Sequence, residues 1–306
     1  MNTTPSFTHT LRQRWQAADS MLCVGLDPDP ARIPAHLGTG PEAIDRFCRD
    51  IIAATADTVC AFKPQIAYFA AQGAEDVLTG LIAHIHAEHP GIPVILDAKR
   101  GDIGSTARQY GVEAFDRFKA DALTLSPFMG FDSIEPYFEW AGRGLILLCR
   151  TSNPGGNDLQ ALSVLPAGDT TGTPPGAPSP RQSASDAASS AQPEKLYEHL
   201  ARLAAGPWNV NGELGLVVGA TFPDELARVR ALAPRLPLLV PGVGAQGGDV
   251  NATVRAGLDA DGYGLVINSS RAILYAGQGT DFADQARKAA VATRDAIRAA
   301  RDAARA

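Results

Sequence analysis

Short apolar runs alternate with longer amphipathic stretches along most of this chain. The runs are only three to five residues long and carry few polar side chains, which is typical of strands buried on both faces of a sheet. The eight runs that predict strands are Leu22–Leu26, Thr58–Phe62, Pro93–Leu96, Ala122–Leu125, Leu145–Cys149, Leu214–Val218, Leu238–Val240 and Gly264–Ile267. Strands separated by helices are expected to be parallel and joined by crossover helices. Eight such units predict an α/β fold of the (β/α)₈ TIM-barrel type rather than an open doubly wound sheet.

The stretches between the runs repeat their apolar residues with a period close to 3.6, which predicts helices. The clearest of these are Pro41–Ala56, Ala74–Glu88, Thr106–Phe118, Pro223–Leu232 and Asp249–Leu258, followed by an Ala/Arg-rich helix from Phe282 to the end of the sequence.

One segment, Pro166–Gln192, interrupts this alternation. It consists mainly of Pro, Ser, Ala, Gly and Thr, and such a composition cannot offset the entropy lost on ordering. We interpret it as a low-complexity, disordered insertion in the connection from the fifth strand to its helix. The alternation continues in phase beyond it, which favours one barrel domain over residues 1–306, with a domain boundary at this segment as the alternative.

Composition narrows the class of protein. A chain of 306 residues with 45% hydrophobic content can bury a sizeable core, and its net charge of −6 does not favour a nucleic-acid or membrane partner. The four cysteines, at positions 23, 48, 60 and 149, show no C-x-x-C spacing, so we expect reduced, buried thiols. Residues 1–12 lack a signal peptide's apolar region, and no apolar run reaches the roughly 18 residues of a membrane span. We therefore expect a soluble cytoplasmic enzyme or binding protein.

The third apolar run ends in charged residues with the pattern D-x-K-x-x-D-I-x-x-T, from Asp97 to Thr106. Because alternate residues of a strand share a face, Asp97 and Lys99 should project side by side. Moving each of these charges out of water costs several kcal/mol unless it is paired. Their placement at the end of a buried strand therefore indicates a role beyond packing.

Other apolar runs also end in polar residues. These ends are Gly25–Asp29, Phe62–Gln65, Arg150–Gly156, Pro241–Gly248 and Asn268–Arg271. The carboxyl ends of parallel barrel strands meet at one face, where active sites of this architecture lie. Three of these polar residues, Asp29, Asn153 and Asn268, and Asp249 just beyond them, are better explained as turn residues or helix caps.

A glycine pattern after the seventh predicted strand, Gly242-x-Gly244-x-x-Gly247, resembles a dinucleotide fingerprint. It lies outside any first βαβ unit of a Rossmann domain, so that interpretation is weak. A glycine loop that binds phosphate together with Gln246 and Arg271 fits the barrel better.

Two further patterns bear on whether the chain has a metal site or a Schiff-base lysine. Among His84, His86 and His89 only the last two share a helix side, which favours a solvated helix surface over a metal site. Lys99 lies near carboxylates that keep it protonated, which argues against a Schiff-base lysine.

With these residues identified, the chain resembles the orotidine 5′-phosphate decarboxylase family, in its longer bacterial and mycobacterial subgroup. The motifs that carry the resemblance are Gly25–Asp27, Phe62–Pro64, Asp97–Thr106, Thr151–Pro154, Val218–Thr221 and Pro241–Gly244, ending at Arg271. The resemblance implies decarboxylation of orotidine 5′-phosphate to UMP and CO₂ in pyrimidine biosynthesis, with no metal or organic cofactor.

The resemblance also implies roles for single residues. The family's charged array falls on Lys63, Asp97, Lys99 and Asp102, with Lys99 as the group that protonates C6. Asp102, together with Ile103 and Thr106, would reach into the site of a second subunit, so that the active unit is a homodimer. The implied substrate contacts are Asp27 and Lys63 to the ribose, Ser152 to the pyrimidine, and Gln246 and Arg271 to the phosphate, with Pro241 opening a closing loop.

Two other functions are compatible with a phosphate-binding barrel. A magnesium-dependent sugar-phosphate decarboxylase of the 3-keto-gulonate type would require additional acidic ligands at the strand ends. A catalytically inactive barrel that acts as a binding protein would have lost charged residues from the array, whereas all four are present.

Overall fold

Eight parallel strands form a nearly closed barrel in the computed structural model, which describes residues 6–166, 192–243 and 248–306. The strands of these residues, in chain order, are β1 Leu22–Leu26, β2 Ala61–Pro64, β3 Ile95–Arg100, β4 Ala122–Leu125, β5 Gly144–Arg150, β6 Ser163–Val164, β7 Glu194–Lys195, β8 Leu214–Val218, β9 Leu238–Pro241 and β10 Leu265–Ser269. The barrel uses all of them except β6 and β7, which pair only with each other.

The order of strands around the barrel is β2-β1-β10-β9-β8-β5-β4-β3. Two single bridges, Phe62 to Val94 and Gln65 to Asp97, join the β2 side to the β3 side and bring the ends of the sheet together. The eight barrel strands correspond to the eight predicted apolar runs, and the bounds of β1, β4 and β8 are those predicted. The prediction of a TIM barrel is therefore confirmed.

Helices cover the outside of the barrel. Their bounds are α1 Phe7–Ala18, α2 Gly40–Thr55, α3 Ile66–Ala70, α4 Glu75–Glu88, α5 Gly104–Gly111, α6 Leu196–Ala205, α7 Pro223–Leu232, α8 Val250–Gly257, α9 Arg271–Leu274 and α10 Phe282–Arg305. The predicted helix over Thr106–Phe118 is observed as α5 followed by a π-helical turn, Val112–Arg117. The other predicted helices agree with the structure to within a residue or two.

Helix α1 was not predicted from the sequence, because its polar residues outnumber the apolar ones. It nevertheless buries Phe7, Leu11 and Trp15, which recur every fourth residue on one face. A side chain on Gly144, at the start of β5, would place its Cβ 2.3 Å from the ring of Phe7. Helix α1 therefore packs directly against the amino-terminal end of the barrel.

The predicted insertion lies between β5 and α6, as expected from the sequence. Its interpretation as disordered concerns residues 167–191, which lie outside the described residues, so it stays a prediction. At its borders, Ser163 pairs with Lys195 and Val164 with Glu194 in antiparallel register. The chain therefore leaves and re-enters the described structure at one place.

The contacts of His84, His86 and His89 differ from the predicted pairing of His86 with His89. Nε2 of His86 lies 2.8 Å from a carboxylate oxygen of Asp121, while the His84 ring packs edge-on against His89 at 6.0 Å. Helix α4 ends at Glu88, so His89 leaves the helical spacing and meets His84 rather than His86. Within the part of the chain that the structure describes, no three His, Cys, Asp or Glu side chains are grouped to hold a metal ion.

The remaining cysteine and membrane predictions can be compared directly. All four cysteines are buried and free, as predicted. Within residues 6–166, 192–243 and 248–306, none of the helices combines the length and the apolar character that a bilayer crossing requires.

Candidate active site

A cavity of about 590 Å³ lies at the carboxyl end of the barrel strands. Seven of the residues predicted from the sequence line it: Asp27, Lys63, Asp97, Lys99, Ser152, Pro241 and Arg271. They come from six different strand ends, which the closed barrel brings around one space. The predicted convergence of these strand ends is therefore present in the structure.

Asp97 is the centre of the charged group in this cavity. Its Oδ2 accepts a hydrogen bond from Nζ of Lys63 at 2.8 Å, and its Oδ1 accepts from Nζ of Lys99 at 2.6 Å. Lys63 and Asp97 are only 4% and 8% exposed, whereas the side chain of Lys99 is half-exposed. Lys99 is thus the member of this ion triad that can reach a molecule in the cavity.

Lys63 and Asp97 are held in their charged forms by their neighbours. Burial by itself would raise the pKa of Asp97, but the ammonium groups of Lys63 and Lys99 outweigh burial and hold that pKa well below its usual range. Burial would likewise lower the pKa of Lys63, yet the carboxylates of Asp97 and Asp27 raise it above its usual value. Lys63 and Asp97 therefore remain a cation and an anion across the physiological pH range.

The side-by-side placement of Asp97 and Lys99 was predicted correctly, but for the wrong reason. Strand β3 does not continue regularly through these residues: Leu96 pairs with Leu123, and the next pair is Arg100 with Leu125. Lys99 has a left-handed backbone, with φ at +47°. A bulge, and not the alternation of a regular strand, thus brings the two side chains together.

Three predicted residues do not line this cavity. The carboxylate of Asp102 accepts a hydrogen bond from the neighbouring N–H of Ile103 at 2.8 Å, and Ile103 and Thr106 are exposed. The four-member array expected from the sequence is therefore a three-member array within one chain.

The end of β5 is held by Arg150, whose importance was not recognised in the sequence. Its side chain is fully buried; it donates to Glu225 of α7 and, at 2.5 Å, to Oδ1 of Asn157, and it lies 4.0 Å over the ring of Phe222. Gln160 accepts from the N–H of Thr151 at 2.8 Å. These bonds fix the loop that carries Ser152 into the cavity.

Close packing reinforces that position of Ser152. A Cβ on Gly219, just after β8, would lie 2.7 Å from Cα of Ser152. The two strand ends therefore touch, and only glycine leaves room for the serine there.

Pro241 and Arg271, the predicted phosphate region, lie at the carboxyl ends of the neighbouring strands β9 and β10. Gly242 follows Pro241 with φ at +97°, and the N–H of Gly248 donates to the carbonyl of Gly242 at 3.2 Å. The two described ends of this segment, Gly242 and Gly248, therefore lie side by side. Gln246 and the middle of the predicted glycine loop lie outside the described residues.

Two buried oxygens of the cavity residues have no hydrogen-bond partner among the described residues: Oδ1 of Asp27 and Oδ1 of Asn268. Asn268 lies within β10 and lines the cavity, so its interpretation as a turn or cap residue was wrong. Buried polar atoms are rarely left unpaired, so both oxygens can accept hydrogen bonds from a bound molecule.

The other proposed turn and cap residues gave mixed results. Asp249 caps α8 by accepting from the N–H of Asn251 at 2.7 Å, and Asp29 accepts from the N–H of Ala31 at 3.0 Å, as predicted. Asn153 makes no capping bond with its side chain and instead accepts from Oγ1 of Thr151 at 2.7 Å beside the cavity.

Comparison with known proteins gives a consistent result. The sequence model of the orotidine 5′-phosphate decarboxylase / HUMPS family matches residues 20–171. An orotidine 5′-phosphate decarboxylase of Azoarcus sp. is 62% identical over 95% of this chain and 98% of its own, and one of Aromatoleum aromaticum is 61% identical over the same shares. The structure of Leishmania donovani OMP decarboxylase matches with a TM-score of 0.76 at 40% identity, over 97% of this chain and 99% of that one. The chain therefore belongs to the orotidine 5′-phosphate decarboxylase family.

Proposed function

We propose that this protein decarboxylates orotidine 5′-phosphate to UMP and CO₂ in the cavity at the carboxyl end of the barrel. The observation that carries the proposal is the buried ion triad of Lys63, Asp97 and Lys99, which presents one half-exposed ammonium to that cavity. Family membership and relatives of similar length support the same activity.

The chemistry follows from where charge develops. When the bond between C6 and the carboxylate breaks, CO₂ leaves and the electron pair stays on C6 of the pyrimidine. A proton from the ammonium of Lys99 then forms the C6–H bond of UMP, and the neutral lysine regains a proton from water. Asp97 holds the ammonium of Lys99 in position through a 2.6 Å hydrogen bond before the reaction begins, so little reorganisation is required during bond breaking.

The other site residues predicted from the sequence are assigned to substrate binding. Asp27 and Lys63 contact the ribose, Ser152 contacts the pyrimidine, and Arg271 with Gln246 contacts the phosphate, while Pro241 opens the loop that closes over it. The unpartnered Oδ1 of Asp27 supports a contact with a ribose hydroxyl. Binding energy from the phosphate, remote from C6, can then drive closure and exclusion of water.

A homodimer is the second part of the proposal, with Asp102, Ile103 and Thr106 acting in the site of the other subunit. Two observations support it. These residues do not line the cavity of their own chain, and large apolar side chains are exposed after two neighbouring strands: Ile103, 50% exposed, after β3, and Phe128, 75% exposed, after β4. A second copy of this chain would cover that apolar surface.

We also propose that residues 1–306 form one decarboxylase domain. The barrel closes only when β10 joins β1, so its strands span nearly the whole sequence. The four free, buried cysteines support a reducing compartment such as the cytoplasm.

The two alternative functions gain no support. Both carboxylate oxygens of Asp97 are bound by lysine ammonium groups, so this carboxylate is a poor ligand for Mg²⁺. The complete ion triad is likewise unexpected in an inactive barrel.

The activity can be tested with the purified protein and orotidine 5′-phosphate in the presence of EDTA. We expect the absorbance of the orotate ring to fall while UMP and CO₂ form in equal amounts. The Lys99→Ala variant serves as the matched control for a contaminating enzyme. An unchanged absorbance, or turnover that EDTA abolishes and Mg²⁺ restores, would contradict this function.

A further inference from the structure

We propose that Thr124 is a positioning residue for the decarboxylation: its hydroxyl holds the bulge of β3 in the shape that places Asp97 beside Lys99. Thr124 lies in β4 and is 1% exposed. This inference rests on the proposed function, and it concerns a residue that no sequence motif in this chain marked.

The bulge leaves backbone groups of β3 without their usual partners. Three residues of β3 separate the paired Leu96 and Arg100, whereas one residue of β4, Thr124, separates their partners. The N–H groups of Ala98 and Lys99 therefore cannot both find a carbonyl in the ladder. Both donate instead to Oγ1 of Thr124, at 3.0 Å and 2.9 Å.

The same hydroxyl also binds the catalytic carboxylate. Oγ1 of Thr124 lies 3.0 Å from Oδ1 of Asp97, the oxygen that accepts from Lys99. A hydroxyl has one proton and two acceptor lone pairs. Since both backbone N–H groups donate to Thr124, its single proton goes to Asp97, and its hydrogen-bonding capacity is filled.

The backbone of Lys99 needs such support. Its φ of +47° is in the left-handed region, which a residue with a Cβ adopts only when its surroundings impose it. The far side of the bulge is held by Arg100, whose guanidinium bonds both oxygens of Glu113 and whose carbonyl accepts from the N–H of Ser126 at 2.7 Å. At the bulge itself, the hydroxyl of Thr124 ties the two amides to Asp97.

The test compares substitutions that keep or remove this hydroxyl. Thr124→Val retains the shape of the side chain. We expect kcat to fall by about 100-fold or more, because the reacting ammonium is displaced by up to about 1 Å. KM should change by less than about threefold, since phosphate and ribose contacts lie elsewhere. Thr124→Ser should keep kcat within about fivefold of the parent.

A matched control is Thr55→Val, which removes a buried hydroxyl that donates to the carbonyl of Ile51 in α2, away from the cavity. It should leave kcat unchanged. If Thr124→Val does not fold, the pair Thr124→Ala and Thr124→Ser makes the same comparison, since the two differ in the hydroxyl oxygen. Parental kcat in Thr124→Val, or equal losses in the alanine and serine variants, would overturn the inference.

A crystal structure of the hydroxyl-free variant separates this inference from the proposed function. We expect Lys99 to leave the left-handed region and its Nζ to move away from Asp97. A left-handed Lys99 with an unchanged Nζ to Oδ1 distance would refute the role of Thr124 even if the protein proved to act on another substrate. Conversely, a parent protein inactive on orotidine 5′-phosphate would refute the proposed function alone.

Discussion

The two ends of the barrel both contain charges that are buried or partly buried, but they use them differently. At the amino-terminal end, Asp121 accepts hydrogen bonds from the N–H of Val94 at 2.8 Å, from Arg143 at 3.0 Å, and lies 2.8 Å from Nε2 of His86. At the carboxyl end, Lys99 is half-exposed toward the cavity, and Oδ1 of Asp27 has no partner among the described residues. Charges at one end are saturated by the protein, and those at the other retain unfilled capacity.

Arg230 shows how far saturation goes at the amino-terminal end. Its buried guanidinium donates to five backbone carbonyls, including those of Gly257 and Gly264 at 2.8 Å. Burial lowers the pKa of Arg230 to about 10, and each of its three nitrogens donates to a backbone carbonyl. A buried charge by itself therefore does not indicate catalysis. A network of buried charges indicates it when one of its members is exposed to a cavity.

The largest effect is expected from removing Lys99, the member of the ion triad that is exposed to the cavity. Lys99→Ala should lower kcat by about 10⁴-fold or more, because both the proton donor and the positive charge at C6 are lost. Its side chain is half-exposed, so the unfolding midpoint should change little. Measurable turnover close to that of the parent would remove Lys99 from the proposed role and break the distinction between the two ends.

The second prediction concerns the residues of the carboxyl end that miss their own cavity. Lys99→Ala and Asp102→Ala chains should each be inactive alone. In a hybrid of the two, one site is built from unaltered Lys99 and unaltered Asp102, so an equal mixture should recover about a quarter of parental activity if the subunits exchange freely.

A hybrid isolated from differently tagged, co-expressed chains by purification through both tags has one intact site of two, so it should show about half of the parental activity. Co-expressed Lys99→Ala chains carrying the two tags provide the matched control. Hybrids that stay inactive would indicate a site built within one chain.

At the saturated end we expect a loss of stability without a loss of activity. Asp121→Asn removes the charge that Arg143 and His86 share while it keeps the side chain's shape. The free energy of unfolding should fall by about 1–3 kcal/mol, since hydrogen bonds to a charged group are weakened. Urea unfolding measures this change, and kcat should stay within about twofold of the parent. A large loss of kcat with parental stability would contradict a structural role.

A smaller effect is expected from the ion pair of Lys63 and Asp97, which stabilises the fold fully only within a limited pH range. Asp97 has a lowered pKa, so its contribution is complete above the unfolded value of about 3.9 and is lost as pH falls further. Lys63 has a raised pKa, so its contribution is complete below about 10.4 and is lost as pH rises through the folded value.

The pH range is best measured by comparing the parent with the double variant Lys63→Met, Asp97→Leu. The difference in unfolding free energy should be constant between about pH 5 and pH 9 and should change on either side. A difference that varies within that range would mean that other groups control it.

The sequence predicts the architecture well and the details of the site only in part. Buried parallel strands are nearly continuous apolar runs, so β1, β4 and β8 could be delimited from hydrophobicity alone. The bulge at Lys99 could not, because its cause lies on another strand, where Thr124 resembles any β-branched residue favoured in strands. Helix α1 was missed for a similar reason: a few residues on one face pack against the barrel end while most of its surface is polar.

The smallest effect should come from the segment that interrupts the alternation of strands and helices. Replacing residues 167–191 by a short Gly/Ser linker should leave kcat and KM within about threefold of the parent, because β6 and β7 already bring the two borders together. A linker of matched length with scrambled sequence is the control for the change in length. The cavity residues of this loop, among them Ser152, are held by Arg150 and Gln160 on the near side of those borders. An inactive variant would show that the site at the carboxyl end of the barrel depends on residues other than those held by Arg150 and Gln160.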